Sequence, residues 1–476
     1  MRVLGSRFRA ALPVMLMAMP LASAQELEFP ISPTPVGAGA RAAGMADAFV
    51  AIADDATASF WNPAGLVQLE EPEFSMVGSF NALREQFDDD LSGTNTRHEH
   101  GTQRDQNIDL NFMSYTHPLP WTLGSRNSTV SVSYHQKFDL SRRFTERTRQ
   151  TIPAINLEQQ FTDRFTQDGQ LGAIGVAYAI EVTSTLSVGV TANLWRDTFL
   201  ADAGWDRSRR VVGSQDFNGS IITFDQFTRE EFENFEGENY IIGLLWNFRP
   251  KWALGIRYDT AFTADVDFKS TGTYSKNGSV VSTSALDEDR EIHFPDTLAV
   301  GLSYRANDRV TMSMDITQTD WNDFYMKTAS GTRISMVDSQ VLGSEFDVDF
   351  DKTTTIRLGM EYLFIPEVLG EEMDRLWSLR VGLFYDEEPA SGRPDNLLVQ
   401  EVNSGEFEPL KGSGSPDSFY GFSVGAGVQI KQRVNIDFAY QLRYGDDVNS
   451  DYIQGRRGFS EDVTQHRVLL STVVYF

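Results

Sequence analysis

The side chains in this sequence that titrate near neutrality are six histidines, at positions 98, 100, 117, 135, 293 and 466. None of them stands at a spacing that brings it to a nucleophile and an orienting acid, so a hydrolase is a poor reading. His98-Glu-His100 offers two metal ligands but lacks a third at useful spacing, and it lies in an acidic stretch. Asp88-Asp-Asp90 and Asp347-Val-Asp349-Phe-Asp351 are dense in carboxylates but lack the glycine and glutamate of a calcium loop. These read as solvated loops, and nothing in the sequence calls for a metal or a cofactor. Three arginines are better placed for chemistry. Arg257, Arg357 and Arg380 each interrupt an apolar alternation, and a guanidinium at the end of an apolar pocket can take a carboxylate through two parallel hydrogen bonds. Phe224, Phe227, Phe232 and Phe235 recur at near-helical spacing among acids, as in an amphipathic loop helix with an aromatic face, to which Phe199, Leu200 and Trp205 would add. Asn62-Pro63-Ala64-Gly65 combines a turn-forming Asn-Pro with a fixed φ and a permissive glycine.

The elements that must carry these residues are strands. Val434, Ile436, Phe438, Tyr440 and Leu442 alternate with polar or small residues, as do Val310, Met312, Met314 and Ile316, and Trp252, Leu254, Ile256 and Tyr258. Such segments begin near Glu73, Asn107, Thr129, Leu171, Leu186, Tyr240, Lys251, Thr297, Val310, Thr354, Trp377, Phe419, Val434 and His466, which makes fourteen. Their connections are mostly short on one side. On the other they are long, roughly 83–106, 139–170, 197–237, 263–289, 322–352, 386–417 and 445–465. An apolar face on nearly every strand, an even strand number and this asymmetry predict an all-β, 14-stranded antiparallel transmembrane barrel of the outer-membrane type rather than a soluble sandwich. Aromatic residues gather near the strand ends, where a membrane–water boundary suits them, whereas the phase of Trp195 and Trp321 points inward. With the apolar phase outward, Arg257, Asp259, Asp315, Arg357, Glu361, Arg380, Asp437 and Arg443 face the lumen, most of them as a salt-bridged lattice.

The termini agree with export to such a membrane. Arg2, Arg7 and Arg9 precede an apolar run, Ala10 to Leu21, that is too short to span a bilayer, and Ala22-Ser23-Ala24 is a small-residue cleavage pattern. Residues 1–24 read as a signal peptide. Removing them takes away three arginines and no acid, so the net charge goes from −26 to −29, which argues against a nucleic-acid partner. The chain has no cysteine, so it is stabilised without disulfides. Its last strand places Val468, Leu470, Thr472, Val474 and the terminal Phe476 on one face, a pattern that resembles the signal read by the barrel-assembly machinery.

Residues 37–65 are rich in Gly and Ala and too poor in large apolar residues to form a core of their own, so they must pack inside something else. Gly-Ala-Arg41…Gly44-Met-Ala-Asp47-Ala-Phe49…Ala53-Asp54-Asp55-Ala56…Trp61-Asn62-Pro63-Ala64-Gly65 resembles the N-terminal hatch of the FadL/TodX family of outer-membrane transporters of hydrophobic compounds. Pro250-Lys-Trp-Ala-Leu-Gly-Ile-Arg-Tyr258, Phe262-Thr-Ala-Asp265, Phe294-Pro295-Asp-Thr297 and Asp320-Trp321 are similar to family segments too. The resemblance implies a hatch at 25–71 inside a barrel at 72–476. It also implies uptake of long-chain fatty acids or other hydrophobic compounds, capture by outer loops, an internal pocket, and exit through an opening in the wall. Asn62-Pro63-Ala64-Gly65 would plug that opening, and the scarcity of large side chains would let the hatch repack. The implied partners are a hydrophobic small molecule, outer-membrane lipid and lipopolysaccharide, and the assembly machinery, and the location is the outer membrane of a Gram-negative bacterium. The same barrel can instead serve as an interaction or secretion-shuttle protein, since a fold of this kind hosts either role.

Overall fold

The computed structural model describes residues 36–89, 96–99, 101–120, 126–198, 203–337, 339–344, 347–365, 374–390, 413–448 and 459–476. The expected signal peptide, residues 25–35, Trp121, Phe199, Leu200, Asp90 and His100 lie outside them. In chain order the strands are β1 (Glu73–Asp89), β2 (Thr96–Glu99), β3 (Thr102–Pro118), β4 (Ser128–Asp139), β5 (Arg142–Ile152), β6 (Leu157–Thr183), β7 (Leu186–Arg196), β8 (Ala203–Phe217), β9 (Ser220–Arg249), β10 (Trp252–Asp259) and β11 (Phe262–Lys276). They continue with β12 (Ser279–Phe294), β13 (Thr297–Asn307), β14 (Val310–Thr319), β15 (Tyr325–Lys327), β16 (Arg333–Ser335), β17 (Thr353–Phe364), β18 (Arg375–Glu388), β19 (Asp417–Ile430), β20 (Val434–Val448) and β21 (Phe459–Tyr475).

Fourteen of these strands form the wall: β1, β3, β4, β6, β7, β9, β10, β13, β14 and β17 to β21. Each pairs antiparallel with two neighbours, and β1 closes on β21 from Glu73↔Tyr475 to Asp89↔Phe459. Closure removes the sheet edges, as a bilayer requires. The pleat sorts side chains as the alternation predicts. Leu298, Val300 and Leu302, Met312, Met314 and Ile316, and Leu379, Val381 and Leu383 are exposed on the outside, whereas Ser303, Ser313, Asp315, Ser378 and Arg380 are buried within. Trp246, Phe248, Phe364, Trp377 and Phe476 are exposed near the short-turn end, and Tyr420 and Tyr444 near the other. Trp195 and Trp321 are buried, as their phase predicts.

Four expected loops are instead largely strand, the first being 83–106, most of which is taken up by the ends of β1 and β3 with β2. β5, β8, β11 and β12 occupy much of 139–170, 197–237 and 263–289, pairing with the outer ends of β6 and β9 so that β9 runs for 30 residues. Two of the tips are Asn218-Gly219 and Asn277-Gly278, both residues of each pair at positive φ, the two-residue hairpin turn whose twist matches that of its strands. The expected aromatic loop helix is therefore corrected: Phe224, Phe227, Phe232 and Phe235 all lie on β9. Neighbours on both sides, β8 and β11, take up the backbone hydrogen bonds that a helix would have kept to itself. Phe232 is buried, and Phe227 is exposed on the opposite face. A bulge opposite Asp265 and Asp267, with Asn234 at φ 53°, shifts the phase so that Phe235 is buried with Phe232. Trp205 stacks on Phe232 at 4.3 Å.

The described residues between 320 and 352 fold back over this end. Trp321, Phe324, Met326, Val337, Val348 and Phe350 join Phe138, Trp195, Phe232, Phe235 and Phe294 in one buried apolar cluster. Lys327 on β15 hydrogen-bonds Glu291 on β12 at 3.1 Å, which holds that exposed carboxyl below the usual range.

A charge on the outward face tests the lipid belt. Leu379→Arg is expected to destabilise the barrel by about 2–4 kcal/mol if it sits near the bilayer midplane. Leu286→Arg, on the β12 hairpin, is expected to be near neutral. Denaturant titration of barrels folded into lipid vesicles separates the two.

Candidate functional site

The N-terminal segment, residues 36–71, lies inside the wall. It contains two short helices, α1 (Ala40–Gly44) and α2 (Ala58–Trp61), and a 3₁₀ turn at Pro63–Gln68. Its turns satisfy part of its backbone internally, and the wall supplies partners for other groups. Ser187 donates to Ala64 O, Thr191 to Ser59 O, Ser423 to Gly44 O, Gln441 to Ala43 O and Ser303 to Ala51 O, all between 2.7 and 3.2 Å. Ala40 N donates to Ser471 Oγ at 2.7 Å and Val50 N to Asp315 Oδ2 at 2.8 Å.

Contacts this short require bare backbone on the wall. Gly189, Gly243, Gly255, Gly301, Gly359, Gly382 and Gly425 all touch the segment. A Cβ at Gly359 would come within 2.6 Å of Met45 O, one at Gly382 within 2.6 Å of Ala46, and one at Gly425 within 2.9 Å of Gly44. Several of these glycines are direct cross-strand partners: Gly189↔Gly243, Gly255↔Gly301 and Gly359↔Gly382. They form a belt of close backbone approach around much of the lumen. Large side chains anchor the segment as well, since Met45, Phe49, Phe60 and Leu66 are fully buried.

Asn62-Pro63-Ala64-Gly65 sits on this belt. Asn62 Nδ2 donates to Val50 O at 2.8 Å and to Leu244 O of β9 at 3.0 Å, while its Oδ1 accepts from Ala64 N. Pro63 and Ala64 press on Gly189 and Gly243. The wall there is continuous, paired from Leu186↔Trp246 to Arg196↔Glu236. The ladder beside the turn is therefore unbroken.

The interruption lies between β3 and β4. Their ladder runs from Pro118↔Thr129 to Phe112↔His135 and stops. Beyond it Asn111 bulges out of the β1–β3 register and donates from Nδ2 to Gly37 O at 2.8 Å. Lys137 bulges on β4, and its carbonyl accepts from Val36 N at 2.9 Å. Asn107 and Asp139 bond across the space, and further out Gln103 Nε2 donates to Thr145 O at 2.9 Å and Arg143 pairs with Asp105. The interruption is a window with a closed perimeter, and the N-terminal segment reaches its inner edge.

A cavity of about 100 Å³ lies between the segment and the apolar cluster. Cavities of about 150 Å³ are known to hold one benzene. Phe60, Trp61, Phe138, Phe262, Phe294 and Trp321 line it. Phe262 and Phe294 stack at 4.7 Å, and Trp195 stacks on Phe262 at 5.4 Å. Gly37, Lys137 and Phe138 line the cavity as well as the inner edge of the window. Arg257 and Arg357 also line it. Arg380 does not. It lies across the segment from the cavity, bonding Glu361 at 2.7 Å and Asp437 at 2.6 Å, and Glu361 in turn binds Arg41 at 3.0 Å. Arg41 also pairs with Asp54 within the segment, so it braces the segment and, through Glu361, ties it to the wall. Phe224, Phe227, Phe232 and Phe235 do not line the cavity, although Phe232 and Phe235 belong to the cluster above it. The sequence reading missed Lys137, Phe138, Phe60 and Asp386. The strand's own phase would have turned Phe138 outward; the β4 bulge at Lys137 reverses it, and bulges carry no period-2 signature.

The profile of a protein family described as outer membrane protein transport protein (OMPP1/FadL/TodX) matches residues 34–401. Among solved structures, a FadL homologue from Pseudomonas aeruginosa superposes with a TM-score of 0.57 at 14% identity, covering 94% of this chain and 100% of that one. A TodX monoaromatic hydrocarbon channel bearing a deltaS2S3 mutation gives 0.54 at 14% identity, over 92% of this chain and 99% of its own. The CymD monoaromatic hydrocarbon channel gives 0.51 at 14% identity, over 93% and 98%. At these identities the likeness speaks for the fold. No curated protein matches the sequence.

The glycine belt makes a direct test of how the segment is seated. Gly382→Val drives a side chain into Ala46 and is expected to destabilise the seated segment by about 1–3 kcal/mol. Limited proteolysis of the folded barrel should then cut within residues 36–71, whereas the unsubstituted protein resists.

Proposed function

The chain belongs to the OMPP1/FadL/TodX family of outer-membrane transport proteins, and from that premise we propose that it carries hydrophobic compounds inward through the aromatic cavity and releases them sideways at the β3–β4 window. The observation that carries this reading is the shared lining. Gly37, Lys137 and Phe138 lie at both the cavity and the β3–β4 junction, where the ladder stops at Phe112↔His135 although β3 runs on to Thr102 beside β1. An apolar solute leaving there meets lipid, its preferred solvent. Ile108 of β3 and Val132 of β4 are exposed on the outside near that junction. Two of the structural neighbours are named as monoaromatic hydrocarbon channels, and a small apolar ligand of that kind suits this cavity.

Residues 36–71 act as the hatch in this reading. Their backbone is held all round the belt from β7 to β19, so the movable part is the stretch at Val36–Gly39 that touches the window. Two bonds to Asn111, one of them weak at 3.4 Å, hold that stretch to β3. The interrupted ladder favours transport over the docking or secretion-shuttle reading, which needs no passage through the wall.

Two measurements test the route and the seal. The chain has no cysteine of its own, so Asn107→Cys and Asp139→Cys can be joined across the window by a short thiol crosslinker. Uptake of a radiolabelled hydrophobe by cells expressing the protein should fall to background on crosslinking and return with a cleavable linker, and unaltered uptake would sink the lateral route. Arg41→Gln removes the tie to Glu361 and Asp54. It is expected to raise the permeation of a small polar solute, read as hydrolysis of a chromogenic cephalosporin by a periplasmic lactamase.

A further inference from the structure

We propose that Asp259 and Asp386 set the charge class of the ligand: each occupies the place between two cations where a ligand carboxylate would be held, so the cavity selects uncharged hydrophobes. This rests on the reading of the aromatic cavity as the transport site.

Three cations line the cavity among the described residues, Lys137, Arg257 and Arg357. A carboxylate ligand would need one of them. Arg257 is already engaged in the geometry that such a ligand would use, with Nε at 2.6 Å from Asp259 Oδ1 and Nη2 at 2.5 Å from Oδ2, a parallel fork. Lys137 Nζ adds a bond of 3.1 Å to the same Oδ2. Asp259 is buried, so this fork is desolvated and complete. Arg357 is engaged more loosely, by a single contact that shares its carboxylate with Arg443. Its Nη2 lies 3.3 Å from Asp386 Oδ1, and Arg443 Nε lies 3.3 Å from Asp386 Oδ2.

The balance of charge points the same way. Asp47, Asp259, Asp315, Asp386 and Glu387 line the cavity against those three cations. An added carboxylate would enter a lining already in acidic excess, and would have to displace a side chain that is tethered and prepositioned. A neutral ligand needs no partner from this set and can rest on the aromatic rings. Arg257 also lies 5.1 Å from the Phe60 ring and 6.0 Å from that of Trp61, so the occupied fork stands where the aromatic floor begins. Without the Asp259 charge, the same place would become a cation pair at the end of an apolar chamber, which is the chemistry of a carboxylate site.

The test uses ligands matched in size and differing in charge, decanol with decanoate and benzyl alcohol with benzoate. Their binding to the protein in lipid nanodiscs is measured by tryptophan fluorescence. The unsubstituted protein should prefer each alcohol to its carboxylate by about tenfold or more. In Asp259→Asn that ratio should fall by about tenfold, and adding Arg257→Gln should restore it. Asp386→Asn gives a second, independent variant, and heat-modifiable mobility shows that each barrel is folded. Equal affinity of the unsubstituted protein for alcohol and carboxylate overturns this inference and leaves the transport reading standing. An unchanged ratio in both folded variants also overturns it. Failure of all four ligands to bind any form overturns the cavity reading itself.

Discussion

The structure depends on one constraint: an irregular chain segment inside a barrel must find partners for its backbone groups on the wall. Turns and short helices within residues 36–71 satisfy only part of their backbone, and an unpaired buried amide or carbonyl is destabilising by about 1–3 kcal/mol. Ser187, Thr191, Ser423 and Gln441 on the inner face answer four of its carbonyls, and the close approach they need is made where seven inner positions are glycine. Small residues on the segment and small residues on the wall are therefore one feature seen from two sides. The poverty of the segment in large side chains serves close contact between backbones. It does not make the segment loose, and its few large residues, Phe49 and Phe60 among them, are fully buried.

The lumen charges follow the same logic of mutual satisfaction. Arg41, Glu361, Arg380 and Asp437 form a chain from the segment to three wall strands, and Asp259 and Asp386 are each shared by two cations. Buried ion pairs of this kind are weak evidence for stability, because desolvation offsets much of their attraction, but breaking one leaves a charge stranded. The lattice thus fixes positions more than it adds strength. It also removes the cations from use by a ligand. Arg257, Arg357 and Arg380 are attractive as carboxylate anchors when read singly, and all three are occupied once their partners are known.

Much of the barrel was legible in advance, and the part that was not has a common cause. The starts of β1, β7, β13, β14 and β20 fall where the alternation begins to show an apolar face. The starts of β6 and β9 lie far outside the expected positions. Alternation is visible only where one face meets lipid and the other the lumen. Beyond the bilayer both faces of β5, β6, β8 and β9 are largely polar, so the period vanishes although the ladder continues. The signal that remained was in the tips, Asn218-Gly219 and Asn277-Gly278. The aromatic series from Phe224 to Phe235 was misleading for a related reason: a bulge at Asn234 gives a strand a spacing that mimics a helix.

The sequence alone determines that this chain is a membrane barrel, because the alternation of each strand is a local property. It also determines that the N-terminal segment must be enclosed, because its own residues cannot form a core. The family resemblance was carried by contiguous motifs and was equally local. Only the tertiary structure decides where the wall ladder is interrupted, which way the Asn62–Gly65 turn faces, and which carboxylate each cation meets. Those depend on pairs far apart in the chain, such as Lys137 with Asp259, Asn111 with Gly37 and Arg41 with Glu361. A single residue carries no trace of the partner that closure of the barrel brings to it.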